Sequence, residues 1–202
     1  MGLRETKKLR TREEIAGQAM RLFVQRGFDN VTVAEVAAAA GVSEKTVFNY
    51  FPSKEDLFFD EADERIAGIV AAIRGRRAGV SVLESLRTMQ LAECKRLCSP
   101  GFAYFAKIIE SSPALQAKEL EVMARIAQAL TDAIADELDL DERDARIAAG
   151  LIVSVHRQYF RAARKQALAG KTGITAERVL RADLKRAYEL LEHGLGGLEQ
   201  SA

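Results

Sequence analysis

The chain is 202 residues long, 48% hydrophobic and almost neutral, with 30 Lys and Arg against 29 Asp and Glu. That length and apolar share suffice for one large domain or two modest ones with a real core, which excludes a disordered tail or a small scaffold that needs staples. Only Cys94 and Cys98 occur, no apolar run approaches the ~18 residues of a membrane span, and no secretory apolar region opens the chain, so a cytoplasmic protein with reduced thiols and no membrane partner is expected.

Three prolines, abundant Ala, Leu, Glu and Arg, and the lack of alternating β-branched segments with hairpin turns predict an all-α chain of about nine helices. The first runs from about Leu9 to Arg26, with Ile15, Ala16, Ala19, Met20, Leu22 and Phe23 at three- and four-residue intervals, and Gly27 closes it. Basic residues from Arg4 to Arg12 precede and open it. Thr32 and Glu35 then have capping-box spacing for a second helix over about 33–40.

Gly41 suits the left-handed turn that ends this helix, and Ser43 caps a third over about 44–50. Two short helices around a three-residue turn are the pattern of a helix-turn-helix. On the third helix Val47 and Phe51 face the core, leaving Lys45, Phe48 and Asn49 on the other side. Pro52 stops it, and Ser53 caps a fourth helix reaching to about Arg77, the expected route by which a later part of the chain signals to the first. Ser81 with Glu84, Ser99-Pro100 and Ser112-Pro113 open helices over about 82–97, 100–110 and 113–138. Two long helices, over about 142–169 and from a Thr175 cap to Leu195, complete the chain. The first of this pair is apolar on two sides and requires more than one partner surface.

The ordered run Gly27-Phe28, Val31-Thr32-Val33, Ala40-Gly41-Val42-Ser43, Thr46 to Phe51 and Pro52 to Phe58 resembles the tetracycline-repressor (TetR) family of bacterial transcriptional regulators. Val36 stands where that family more often has isoleucine, a conservative departure. The resemblance implies a DNA-binding helix-turn-helix domain over residues 1–55 and a ligand-binding and dimerisation domain over 56–202. It also implies a homodimer on a palindromic double-stranded operator, released when a small molecule binds. Lys45, Thr46 and Asn49 can reach base edges, and Phe48 can touch a thymine methyl. Thr32, Tyr50 and Lys54 suit phosphate contacts.

For a ligand, the large adaptable side chains Met89, Phe102, Phe105, Ile109, Met123, His156 and Tyr159 are the candidates, and they favour a hydrophobic effector. The segment Phe102 to Ile109 resembles relatives thought to sense acyl-coenzyme A thioesters. Two other readings stand beside this one. In the first, the C-terminal domain serves only dimerisation or protein contacts; in the second, Cys94 and Cys98, one turn apart, act as a thiol-based redox sensor. No catalytic triad, phosphate loop, metal-ligand cluster or cofactor motif emerges, so no enzyme is expected.

Overall fold

A computed structural model describes residues 3–194, with Leu3 and Arg4 as backbone alone, and every regular element among them is an α-helix. In chain order these are α1 (Leu3–Arg26), α2 (Val33–Ala39), α3 (Glu44–Tyr50), α4 (Lys54–Phe58), α5 (Ala62–Arg74), α6 (Val82–Leu97), α7 (Pro100–Ser111), α8 (Pro113–Leu138), α9 (Glu142–Leu168) and α10 (Gly173–His193). They divide into two compact units. The first takes the described residues of Met1–Asp63 together with Lys107–Glu119, and the second those of Glu64–Ala106 and Leu120–Ala202.

In the first unit α1 packs against α2 and α4, and α2 against α3. The apolar spacing on α1 places Ile15, Ala16, Ala19 and Phe23 on one buried stripe. Phe23 meets Phe28 at 4.9 Å between ring centroids, and both meet Phe58 at 6.3 Å. At seven residues each, α2 and α3 are too short to persist alone in water. Each is held by what it buries, Val36 and Ala37 from α2 and Val47 from α3.

The single helix expected from Ser53 to Arg77 is two. Leu57, Phe58 and Phe59 are consecutive and cannot share one stripe of a straight helix. The chain turns instead: Phe59 leaves helical torsions at φ −99° and ψ 35°, and its carbonyl accepts from the Ala62 N–H at 2.9 Å. Phe58 stays in the aromatic cluster while Phe59 packs edge-on against it, and the Asp60 carbonyl accepts a hydrogen bond from Arg12. This break raises the helix count from the expected nine to ten among the described residues.

The first unit also contains a piece from much later in the chain, which no local pattern announces. At the corner between α7 and α8, Ser112 Oγ donates to Asp29 Oδ1 at 2.8 Å, and Lys118 Nζ pairs with Asp56 Oδ1 at 2.9 Å. The boundary expected at 55/56 falls inside α4, whose residues all remain with this unit.

In the second unit α10 packs against both α6 and α9. Leu86 and Leu97 of α6, Ile152 and Ala163 of α9, and Leu180, Leu184 and Tyr188 of α10 are buried. The last helix starts at Gly173, before the expected Thr175 cap. Gly173 adopts φ 77°, and its N–H reaches the Cys98 carbonyl at 2.8 Å, tying the start of α10 to the end of α6. Leu195, expected to end that helix, lies outside the described residues. Asp136 and Glu137 pair with Arg74 and Arg76 at 2.7 and 2.6 Å.

Burial alone would raise the Asp56 carboxyl, but hydrogen bonds from Ser53 and Lys118 and the Lys118 charge outweigh it and hold the group below its ordinary range. Such a group adds stability above its unfolded pKa of about 3.9, and this is lost as pH falls through its lower folded value. Lys118→Met is expected to remove on the order of 1 kcal/mol at pH 7, lowering the melting midpoint by about 2–4 °C. In circular dichroism melts the gap to the parent should close in acid, once Asp56 is protonated.

Candidate nucleic-acid interface

The geometry of the turn is set by its caps. Glu35 N–H donates to Thr32 Oγ1 at 3.2 Å, and Thr32 N–H donates to Glu35 Oε2 at 2.8 Å, completing the capping box. Arg26 adds an ion pair to Glu35 Oε1 at 2.8 Å. The main-chain bond from Thr32, followed by the Arg26 hydrogen bond, holds the Glu35 carboxyl down to about 2. Gly41 turns the chain at φ 65° with open space where a Cβ would stand, so torsion rather than crowding calls for glycine. Ser43 Oγ then accepts from Thr46 N–H at 3.1 Å and starts α3.

Val47 buries its side chain, and so does Phe51 at the end of α3, which fixes the rotation of the helix. Lys45, Phe48 and Asn49 consequently stand together on the outer face, with Phe48 49% exposed. A large ring left this open is unusual beside a compact aromatic core. Thr46 and Tyr50 are half-buried at the edge of this face, the Thr46 hydroxyl 2.8 Å from Ser43 Oγ. Thr32 is exposed, but its hydroxyl is already engaged with Glu35.

Lys54 is placed differently from its expected role as a phosphate clamp. Its ammonium donates to the Phe28 and Val31 carbonyls, both at 3.0 Å, and lies 4.1 Å from the Phe28 ring centroid. Two of three donors are thus spent closing the α1–α2 connection. Arg12 is likewise turned inward, over the Phe51 ring at 5.1 Å.

The seven side chains expected around a ligand do not form one set. Ile109 is buried with the first unit, whereas the other six belong to the second. There Phe102 and Phe105 stack at 5.8 Å, and Met89 and Met123 are half-buried. His156 and Tyr159 are buried on α9 and meet α6. Gln90 Nε2 lies 3.1 Å from His156 Nδ1, and Tyr159 donates to the Gln90 carbonyl at 3.0 Å with Cys94 Sγ at 3.3 Å. Burial pushes the His156 imidazole down to about 4, with the Arg65 charge adding to the effect, and raises the Tyr159 phenol.

Gln90 escaped the sequence reading, yet its signal was present. It is the one amide in the stripe Val82, Leu86, Gln90, Cys94, Leu97 that α6 buries. The two cysteines are free and buried, and burial pushes both thiols up. A thiolate is the reactive form, so this setting speaks against the redox-sensor reading. Among the described residues no group of three or more His, Cys, Asp or Glu is placed to hold a metal ion, and no helix is long and apolar enough to cross a membrane.

A capped turn joining two short helices, the second presenting Lys45, Phe48 and Asn49 outward, is the geometry of a helix-turn-helix. Residues 15–60 match the family model for bacterial regulatory proteins of the tetR family. Over these residues the chain is similar to the TetR family. It is 29% identical over 160 residues to the HTH-type transcriptional regulator TcmR of Streptomyces glaucescens, a match covering 73% of this chain and 71% of that one. The structure of Thermus thermophilus FadR, a TetR-family repressor in complex with lauroyl-CoA, aligns over 91% of this chain and 94% of its own, with a TM-score of 0.53 and 28% identity. NalD of Pseudomonas aeruginosa, the secondary repressor of a multidrug efflux pump, shares the fold at a TM-score of 0.59 and 19% identity, over 89% of this chain and 96% of its own. These relatives are regulators of transcription.

The placement of Lys54 separates two kinds of basic residue. Lys54→Met is expected to lower the thermal midpoint measurably, whereas Lys45→Ala, exposed and outside the core, should leave it within about 1 °C. Thr32→Ala should cost about 1 kcal/mol in urea unfolding through loss of the α2 cap.

Proposed function

We propose that the chain is a ligand-responsive repressor, which holds a palindromic operator as a homodimer in the cytoplasm and releases it when a hydrophobic small molecule binds the second unit. The observation that carries this reading is the outer face of α3, where Lys45, Phe48 and Asn49 are exposed together over a helix seated by buried Val47. Lys45, Thr46 and Asn49 supply hydrogen bonds to base edges, and Phe48 supplies apolar contact to a thymine methyl. Tyr50 and Thr32 flank them toward the phosphates, with the remaining donor of Lys54.

Dimerisation is supported by α9 and α10. Ile147 and Leu151, one turn apart on α9, are 58% and 55% exposed, and Ile174 and Val179 of α10 are open too. Packed helices that still show apolar residues outward suit a four-helix interface between two copies. A pair so joined can set two α3 helices about 34 Å apart, one turn of DNA. The effector reading rests on the buried, partly polar interior around His156 and Tyr159, and on the likeness to FadR, whose complex with lauroyl-CoA makes acyl-coenzyme A thioesters one class to consider. Coupling of ~1–3 kcal/mol between effector and operator is typical and is enough for release.

Operator fragments selected from random duplex DNA should be inverted repeats, and mobility shifts should weaken by at least about tenfold with Asn49→Ala or Lys45→Ala. Unaltered binding by both variants would remove α3 from the reading. Leu151→Glu should convert the dimer to a monomer in sedimentation and abolish operator binding with it.

A further inference from the structure

We infer that the Gln90 and His156 pair between α6 and α9 is the polar end of the effector site, and that it takes an uncharged molecule carrying a hydroxyl and a carbonyl close together on an otherwise apolar body. This rests on the reading of the second unit as effector-binding and adds the chemistry of what it binds.

Both side chains are 2% exposed, and each keeps a polar atom, Gln90 Oε1 and His156 Nε2, without a hydrogen bond among the described residues. Orphaned polar atoms at this depth destabilise a fold, and a natural core retains them where they have a use. Tyr188 Oη, buried on α10, also lacks a hydrogen bond among the described residues. Tyr159 donates to the Gln90 carbonyl, and Gln90 Nε2 and His156 Nδ1 face each other at 3.1 Å. The rings of Phe160 and Tyr159 stand beside them, Phe160 at 4.6 Å from the imidazole and 5.6 Å from the phenol ring.

The ligand class follows from counting hydrogens. If the Gln90 amide donates to Nδ1, the imidazole carries its proton on Nε2, leaving one N–H donor there and one acceptor on Oε1. If the amide is turned over and accepts from Nδ1–H, the amide offers the donor and Nε2 the acceptor. In either arrangement the pair presents an acceptor on one partner and an N–H donor on the other, the amide keeping a further N–H of its own. Burial keeps the imidazole uncharged near neutral pH, so the pair itself adds no positive charge for a carboxylate beyond that of Arg65, whose guanidinium stands 5.2 Å from the Phe160 ring centroid. A carbonyl answers the donor and a hydroxyl answers the acceptor. A simple ester or thioester answers only one.

The test uses three matched probes: methyl 3-hydroxydodecanoate, methyl dodecanoate and dodecanoate, titrated calorimetrically into the full chain. The hydroxy ester should bind on the order of tenfold tighter than the plain ester, with the carboxylate weakest. In the Gln90→Leu, His156→Phe double variant the two esters should bind alike, while the melting midpoint is equal to or above that of the parent. Should that variant fail to fold, nitrogen-15 spectra of the parent supply the readout, in which the hydroxy ester should move the His156 Nε2 resonance. Equal binding of all three probes by the parent, preference for the carboxylate, or discrimination that persists in the double variant overturns the assignment. So does binding of no probe by a parent that still holds its operator, and each of these results leaves the DNA-binding reading standing. Loss of operator binding by the parent strikes that reading alone.

Discussion

Two turns of helix cannot hold themselves in water, and α2 and α3 are each two turns long. Their geometry depends on the aromatic cluster of Phe23, Phe28 and Phe58, on which α1, the α1–α2 connection and α4 converge. Lys54 fastens this cluster from the edge by resting its ammonium on the Phe28 ring while bonding the carbonyls of the connection. With that frame fixed, the burial of Val47 decides the rotation of α3 and hence which side chains point outward. The outer face of α3 is therefore a product of packing on its opposite side.

Two carboxylates extend the frame to distant sequence. Asp29 sits just beyond α1 and Asp56 inside the α4 capping box, and both are bound by residues of the α7–α8 corner. The first unit is consequently discontinuous, needing chain made long after its helix-turn-helix. Helices α7 and α8 each contribute residues to both units.

Much of this was legible in the sequence wherever a local rule operates alone. Thr32 with Glu35, Gly41 and Ser43 are read from spacing because a cap or a turn involves only neighbours, and all three are built as expected. The break after Phe58 was not read, although Leu57, Phe58 and Phe59 cannot share one stripe, because the aromatic cluster that Phe58 joins is assembled from residues distant in sequence. Lys54 was assigned outward from its place at a helix start, although carbonyls 23 and 26 residues earlier claim its ammonium. Gln90 and His156 are 66 residues apart, and nothing local pairs them. Ile109 shows the same limit from the other side: its apolar character was plain, but which core it joins depends on the corner at Ser112.

The inward placement of basic side chains bears on how such a protein would search for its site. Arg12 rests on Phe51, Arg26 is paired with Glu35, and Lys54 is bonded to two carbonyls, so three cations near the reading face are largely spent within the unit. Each phosphate neutralised contributes about 0.9 to the dependence of affinity on salt through counterion release. Arg12 and Lys54 keep their charge while giving up donors, so what packing withdraws is the directed contact to a phosphate and not the attraction to it.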